Sequence, residues 1–152
     1  ENVKNDFHAR FSAHEKTYCY CIYECPFDRA AYLNRAARVS EKLDVKAMRM
    51  ASTAFLGEHD FTSFMSTGAD TVSAVRNVKD VHVVRSGGLV RIFVTANGFL
   101  YNMVRLIAGV LVRAGQGKID KAGVEKLIAL KNKHAVREVM PAEGLYLVSV
   151  KY

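Results

Sequence analysis

The stretch NGFLYNMVRLIAGVLVRAG, residues 97–115, constrains this chain more than any other segment. From Phe99 to Val112 the residues are apolar, aromatic or small except Asn102 and Arg105, and Arg105 carries the only charge. At the helical repeat, Phe99, Met103, Leu106, Ile107, Val110 and Ala114 line one face, while Tyr101, Val104, Ala108, Leu111 and Val112 cover much of the remainder. Such a helix is contacted on several sides. Arg105 is its anomaly, because a guanidinium stays charged at ordinary pH and burying it unpaired costs several kcal/mol. It either has a carboxylate or phosphate partner or snorkels to water at the helix edge. The run is too short and too interrupted to span a bilayer, so no membrane partner is expected.

Around this helix the pattern alternates between strand and helix. The β-branched and aromatic segment TYCYCIYEC, residues 17–25, predicts a strand closed by Pro26. Helical composition follows over 29–40, with Leu33, Ala36, Ala37 and Val39 near helical spacing. A second helix is expected over 45–56, capped by Asp44. The polar segment 57–71 predicts a loop anchored by Phe61 and Phe64. Residues 71–98 predict a long hairpin turning at Ser86, Gly87 and Gly88, with Val90, Ile92 and Val94 facing a core and Arg91, Phe93 and Thr95 facing away. The buried helix then ends at Gly115 or Gly117, Asp120 opens another, and GLYLVSVKY forms a last strand. Strands at both ends and a central hairpin, separated by helices, predict an α+β domain: a mainly antiparallel sheet with helices packed on one face.

The 152 residues fit one domain, 1–152, and the formal charge of +7 favours a polyanionic partner, nucleic acid above all. Arg10, Lys16, Arg76, Lys79, Arg85 and Arg91 flank aromatic-bearing strands, which suits RNA: phosphates need cations and unstacked bases need aromatic platforms. Tyr18 and Tyr20 are candidate platforms. The three cysteines, Cys19, Cys21 and Cys25, have no second ligand pair for zinc and read as reduced, packed thiols of a cytoplasmic protein without a signal peptide. Glu58, His59 and Asp60 invite an acid–base or metal reading, but no HExxH spacing supports it and a capped loop accounts for them. The glycines of AGQGK lack phosphate-loop spacing, and no G-x-S-x-G is present.

FHARFSA, KTYCY, LGEHDFTSF, VRNV, NGFLYNMVR and EGLYLVSVKY, in that order and at these spacings, closely resemble the tRNA pseudouridine synthase A family. The resemblance runs from Phe7 to Tyr152. It implies the conversion of uridine to pseudouridine in the anticodon stem-loop of tRNA, at positions 38 to 40, by a homodimer that needs no metal or organic cofactor. In that family an essential aspartate stands in a GRTD-type motif of the N-terminal half. This chain has no such motif, and its start without methionine fits a C-terminal domain from which the aspartate is missing and which is inactive alone. Arg105 matches the arginine that pairs with that aspartate, Tyr18 the tyrosine against the target base, and Leu147 an apolar wall of the base pocket. Lys16, His59, Arg76 and Asn102 lie in matching motifs and are expected near RNA or the site. Two rival readings are a non-catalytic RNA-binding module and a metal-dependent hydrolase built on His59 and Asp60.

Overall fold

A computed structural model describes residues 8, 12–68 and 71–152, and the fold is assembled on one strand, β1, Glu15–Glu24. Arg10, Asp6, Asp70 and most of FHARFSA lie outside the described residues. The hairpin of β4, Val75–Ser86, and β5, Leu89–Ala96, turns through Gly87 and Gly88, both at positive φ, where a side chain is strained. β5 pairs antiparallel along β1 from Lys16↔Ala96 to Tyr23↔Leu89, and β4 carries β3, Gly57–Asp60, on its outer side. The opposite edge of β1 is shared. β6, Leu145–Lys151, takes its first half antiparallel, and β2, Ala37–Val39, takes its last three residues in parallel.

Strand alternation divides the sheet into two faces. Tyr20, Ile22, Val90, Ile92 and Val94 lie in the main core beneath α1, Val45–Ser52, α2, Met103–Gly115, and α3, Lys121–Ala129. Cys19, Cys21, Tyr23 and Cys25 form a smaller cluster on the other face with Ala36, partly covered by Tyr32, Leu89 and Phe93. All three α-helices therefore pack on one face, as expected. α2 is the most buried element: from Met103 to Gly115 only Arg105 and Arg113 escape full burial. Its burial on several sides follows from the near-continuous apolar sequence.

Asp44 caps α1 by accepting from the backbone N–H groups of Lys46 and Ala47 at 2.8 and 3.0 Å, and Asp120 caps α3 through Gly123. Asp44→Ala removes the side-chain acceptor and is expected to cost about 1 kcal/mol in chemical denaturation. An unchanged midpoint would contradict that role.

Two expectations need correction. The helix expected over 29–40 is absent: a single 3-10 turn at Ala30–Tyr32 gives way to Asn34 in the left-handed region, and Ala37–Val39 is strand β2. Local helical composition is overridden because pairing with β1 satisfies that backbone and buries Ala37 and Val39 against the core. The segment 57–71 is not wholly a loop, since Gly57–Asp60 adds strand β3 to β4. Phe61 and Phe64 are fully buried as expected, and Phe64 meets Phe55 edge-on at 5.2 Å.

At the open end of the sheet, Glu15 receives Lys79 at 2.7 Å and Lys151 at 2.5 Å, tying β1 to β4 and β6. The two ammonium groups hold its carboxyl down at about 2 from an ordinary 4.5. A depressed carboxyl stabilises the fold above its unfolded pKa, and that contribution is lost as pH falls through the folded value. Melting temperature is thus expected to carry a Glu15-dependent decline between about pH 4.5 and 2, which Glu15→Gln flattens. The same slope in the variant would contradict the assignment.

Candidate active site

Tyr18 lies on β1 directly opposite Leu147 of β6 and Val94 of β5. Direct cross-strand partners share a face, so Tyr18 and Leu147 stand side by side. The β1–β6 register shifts between Thr17 and Tyr18, at the edge of this pair. Tyr18 is half-buried at the margin of the main core, its ring edge-on to Phe99 with centroids 5.1 Å apart. Among the described residues its hydroxyl has no hydrogen-bond partner. Leu147 is 55% exposed.

Tyr20 behaves differently from its neighbour. As a candidate platform for a base it is ruled out, because the side chain is fully buried and its hydroxyl donates to the Pro141 carbonyl at 2.5 Å. Burial pushes its proton affinity up, helped by Glu143 and opposed by Arg105. Alternation along β1 placed Tyr20 toward the helices, and the segment 138–141 closes over it.

Arg105 projects from the first turn of α2 and is half-buried. Its Nε donates to the Met140 carbonyl at 2.6 Å and its Nη1 to Asn102 Oδ1 at 2.9 Å. Both acceptors are neutral. No carboxylate among the described residues lies within ion-pair distance of the guanidinium, and its Nη2 makes no hydrogen bond there. Asn102 sits in the left-handed region at φ 61° just before the helix, and its Nδ2 donates to Ser66 Oγ at 3.0 Å. Among the described residues the charge is thus held on two sides by neutral oxygens alone.

Of the residues expected near this site, Lys16 is half-buried two positions before Tyr18 on β1. His59 and Arg76 are cross-strand partners in the β3–β4 pair. The His59 ring is bonded to the Leu56 carbonyl at 2.8 Å and stands edge-on to Phe61. Arg76 donates to the carbonyls of Ser73 and Val75, and desolvation lowers its pKa. A Cβ added at Gly98 would lie 3.6 Å from Arg76 Nε, so this guanidinium rests against the loop that leads into Phe99. Asp60 accepts from the backbone and hydroxyl of Thr62, so it shapes the turn that seats Phe61 and Phe64.

Two of the basic residues expected to face RNA are engaged elsewhere. Lys79 pairs with Glu15, and Arg85 grips Glu24 with two nitrogens at 3.1 and 2.6 Å. Their acidic partners are distant in sequence, so the pairing is invisible without the sheet register. The carbonyls of Met140 and Pro141 and the hydroxyl of Ser66 were also missed. A backbone carbonyl has no sequence signal, and Ser66 gave none.

No helix of the described residues is long and apolar enough to cross a membrane. A family model described as tRNA pseudouridine synthase matches residues 51–152. The tRNA pseudouridine synthase A of Acetivibrio thermocellus is 41% identical over 152 residues, covering all of this chain and 62% of that protein. That of Ruminiclostridium cellulolyticum is 42% identical over 153 residues with the same coverage, and that of Blochmanniella floridana is 42% identical over 150 residues, 60% of its length. The chain thus spans about three-fifths of the length of these relatives. With its matched residues running through β3 to β6 and including Arg105 and Leu147, the chain belongs to the tRNA pseudouridine synthase family.

Proposed function

We propose that these residues are the C-terminal domain of a tRNA pseudouridine synthase A, and that the complete enzyme isomerises uridine in the anticodon stem-loop of tRNA, at positions 38 to 40. The observation that carries this reading is the state of Arg105, held by two neutral oxygens with no carboxylate beside it among the described residues. The partner is an aspartate supplied by a segment outside these 152 residues, which leaves this chain inactive alone. A carboxylate beside a guanidinium keeps a low pKa and a fixed orientation, as a group that must act while ionised requires. Asn102, expected near RNA, orients Arg105 in this reading.

The reaction breaks the bond from the ribose to uracil N1 and forms one from the same ribose carbon to C5, while C5 gives up its proton and N1 gains one. Between these steps the base turns, and it must first leave its stack in the stem. Tyr18 offers a flat face and Leu147 an apolar wall, a combination that holds a ring without fixing its rotation. No metal or organic cofactor enters the reading. Lys16, His59 and Arg76 serve as RNA contacts, and the tRNA lies across a cytoplasmic homodimer.

Tyr18→Ala in the complete enzyme is expected to weaken kcat/KM by about thirtyfold, some 2 kcal/mol, whereas Tyr18→Phe keeps most of it. Equal losses in both variants would show that the hydroxyl, not the ring, is what matters. The reading as a whole is tested by mapping pseudouridine in unmodified tRNA treated with the complete enzyme. Product at positions 38 to 40 supports it, and unmodified uridines there contradict it. The 152-residue chain alone is expected to bind tRNA weakly and with a steep salt dependence, because it keeps phosphate contacts without a full pocket.

A further inference from the structure

The face of β1 away from the helices carries two thiols that the proposed site does not use. Cys19 and Cys21 are two apart on one strand, so their side chains leave it on the same side, and their sulfurs lie 3.7 Å apart. Both are buried, at 5% and 9% exposure, and none of the three cysteines is in a disulfide. Arg91 stands opposite Cys21 on β5. The bond from Cys19 brings the Cys21 thiol down to about 7, against burial and with help from Arg91, while Cys19 is pushed up. Of the two sulfurs, Cys21 is thus the readier to ionise, and Cys19 lies 3.7 Å from it. Cys25 does not join the pair: it lies just past the end of β1, four residues on from Cys21, and four extended residues span about 13 Å, beyond the reach of a disulfide.

We propose that Cys19 and Cys21 form a reversible redox dithiol whose oxidant is a hydroperoxide. The Cys21 thiolate attacks the terminal peroxide oxygen and breaks the O–O bond. Cys21 becomes a sulfenic acid, and the remaining oxygen leaves as hydroxide or alkoxide and takes up the proton that the thiol gave up. Cys19 sulfur then attacks Cys21 sulfur, forming the S–S bond and breaking the S–O bond, and the Cys19 proton leaves with the hydroxide as water. Two thiols and one hydroperoxide thus give one disulfide, one alcohol or water, and one further water. Two electrons pass from the sulfurs to the peroxide.

Closure draws the two sulfurs together across Tyr20, the residue between them. The Tyr20 hydroxyl is fixed to the Pro141 carbonyl, next to the Met140 carbonyl that holds Arg105.

The test uses the 152-residue chain, reduced, freed of reductant and treated with a single equivalent of hydrogen peroxide at neutral pH. The intact mass is expected to fall by about 2 Da and to recover with dithiothreitol. In the tryptic peptide TYCYCIYECPFDR, the backbone breaks between residues 19 and 21 disappear from the fragment spectrum, and iodoacetamide labels Cys25 alone. Cys25→Ser keeps the mass loss, and Cys19→Ser and Cys21→Ser abolish it. Should a serine variant fail to fold, the wild-type peptide map decides alone. A gain of oxygen without loss of hydrogen, a bridge that includes Cys25, or a disulfide-linked dimer would each overturn the proposal.

Discussion

Replacing Arg105 with lysine is expected to lower pseudouridine formation by the complete enzyme about 10²- to 10³-fold while changing tRNA affinity no more than about threefold. The charge is conserved, so the expected loss lies in geometry. Arginine offers a rigid planar fork, and here one nitrogen reaches the Met140 carbonyl and another Asn102 Oδ1, while Nη2 makes no hydrogen bond among the described residues. An ammonium on a flexible stem is a point charge and cannot hold both neutral oxygens in this geometry and still present a defined donor. Single-turnover rates at saturating enzyme separate chemistry from binding. A near-normal rate for Arg105→Lys would mean that only charge matters, and an equal loss in affinity would make Arg105 an RNA contact.

Gly109→Ala is expected to destabilise the fold by about 3 kcal/mol, at the upper end of the usual overpacking range. For a domain of this size the melting temperature should fall by about 6–12 °C. Helix propensity alone points the other way, because alanine is favoured over glycine inside a helix by about 1 kcal/mol. The opposite sign is expected because a Cβ at Gly109 would lie 2.6 Å from the Glu138 carbonyl oxygen. That atom is backbone, so α2 or the segment carrying the Met140 and Pro141 carbonyls has to move. The Tyr20 and Arg105 hydrogen bonds would be strained together. Thermal melts decide the sign, and a variant as stable as the parent would show that the segment is not seated on α2.

Where the sequence was legible, the signal was local. The apolar run predicted the buried helix, the capping aspartates marked two helix starts, and the paired glycines marked the hairpin. Phe61 and Phe64 stood out because two aromatics in a polar segment need a core to enter. Where it failed, the deciding partner was remote. β2 exists because β1 is there to pair with it, and nothing in residues 29–40 encodes that. Tyr18 and Tyr20 looked equivalent in KTYCY, yet one lies at the core margin and the other is sealed beneath Pro141.

The candidate site was legible in a different way. Pattern alone exposed Arg105 as a charge out of place, but its expected aspartate partner, and the expectation of Tyr18 and Leu147 in the same site, came from the family resemblance. The register sets Tyr18 beside Leu147, and Arg105 is held by acceptors that no sequence pattern would single out. A carbonyl oxygen is the same at every residue, so the support of the guanidinium emerges only from the fold.

The most direct measurement is pseudouridine formation in unmodified tRNA, compared between the 152-residue chain alone and the same chain joined to the aspartate-bearing segment of the family. Activity is expected only in the joined protein, and it should vanish when that aspartate is replaced by asparagine. Activity in the 152 residues alone would place the nucleophile among their own aspartates, with Asp60 the first to replace, and Arg105 would no longer be waiting for a partner from outside.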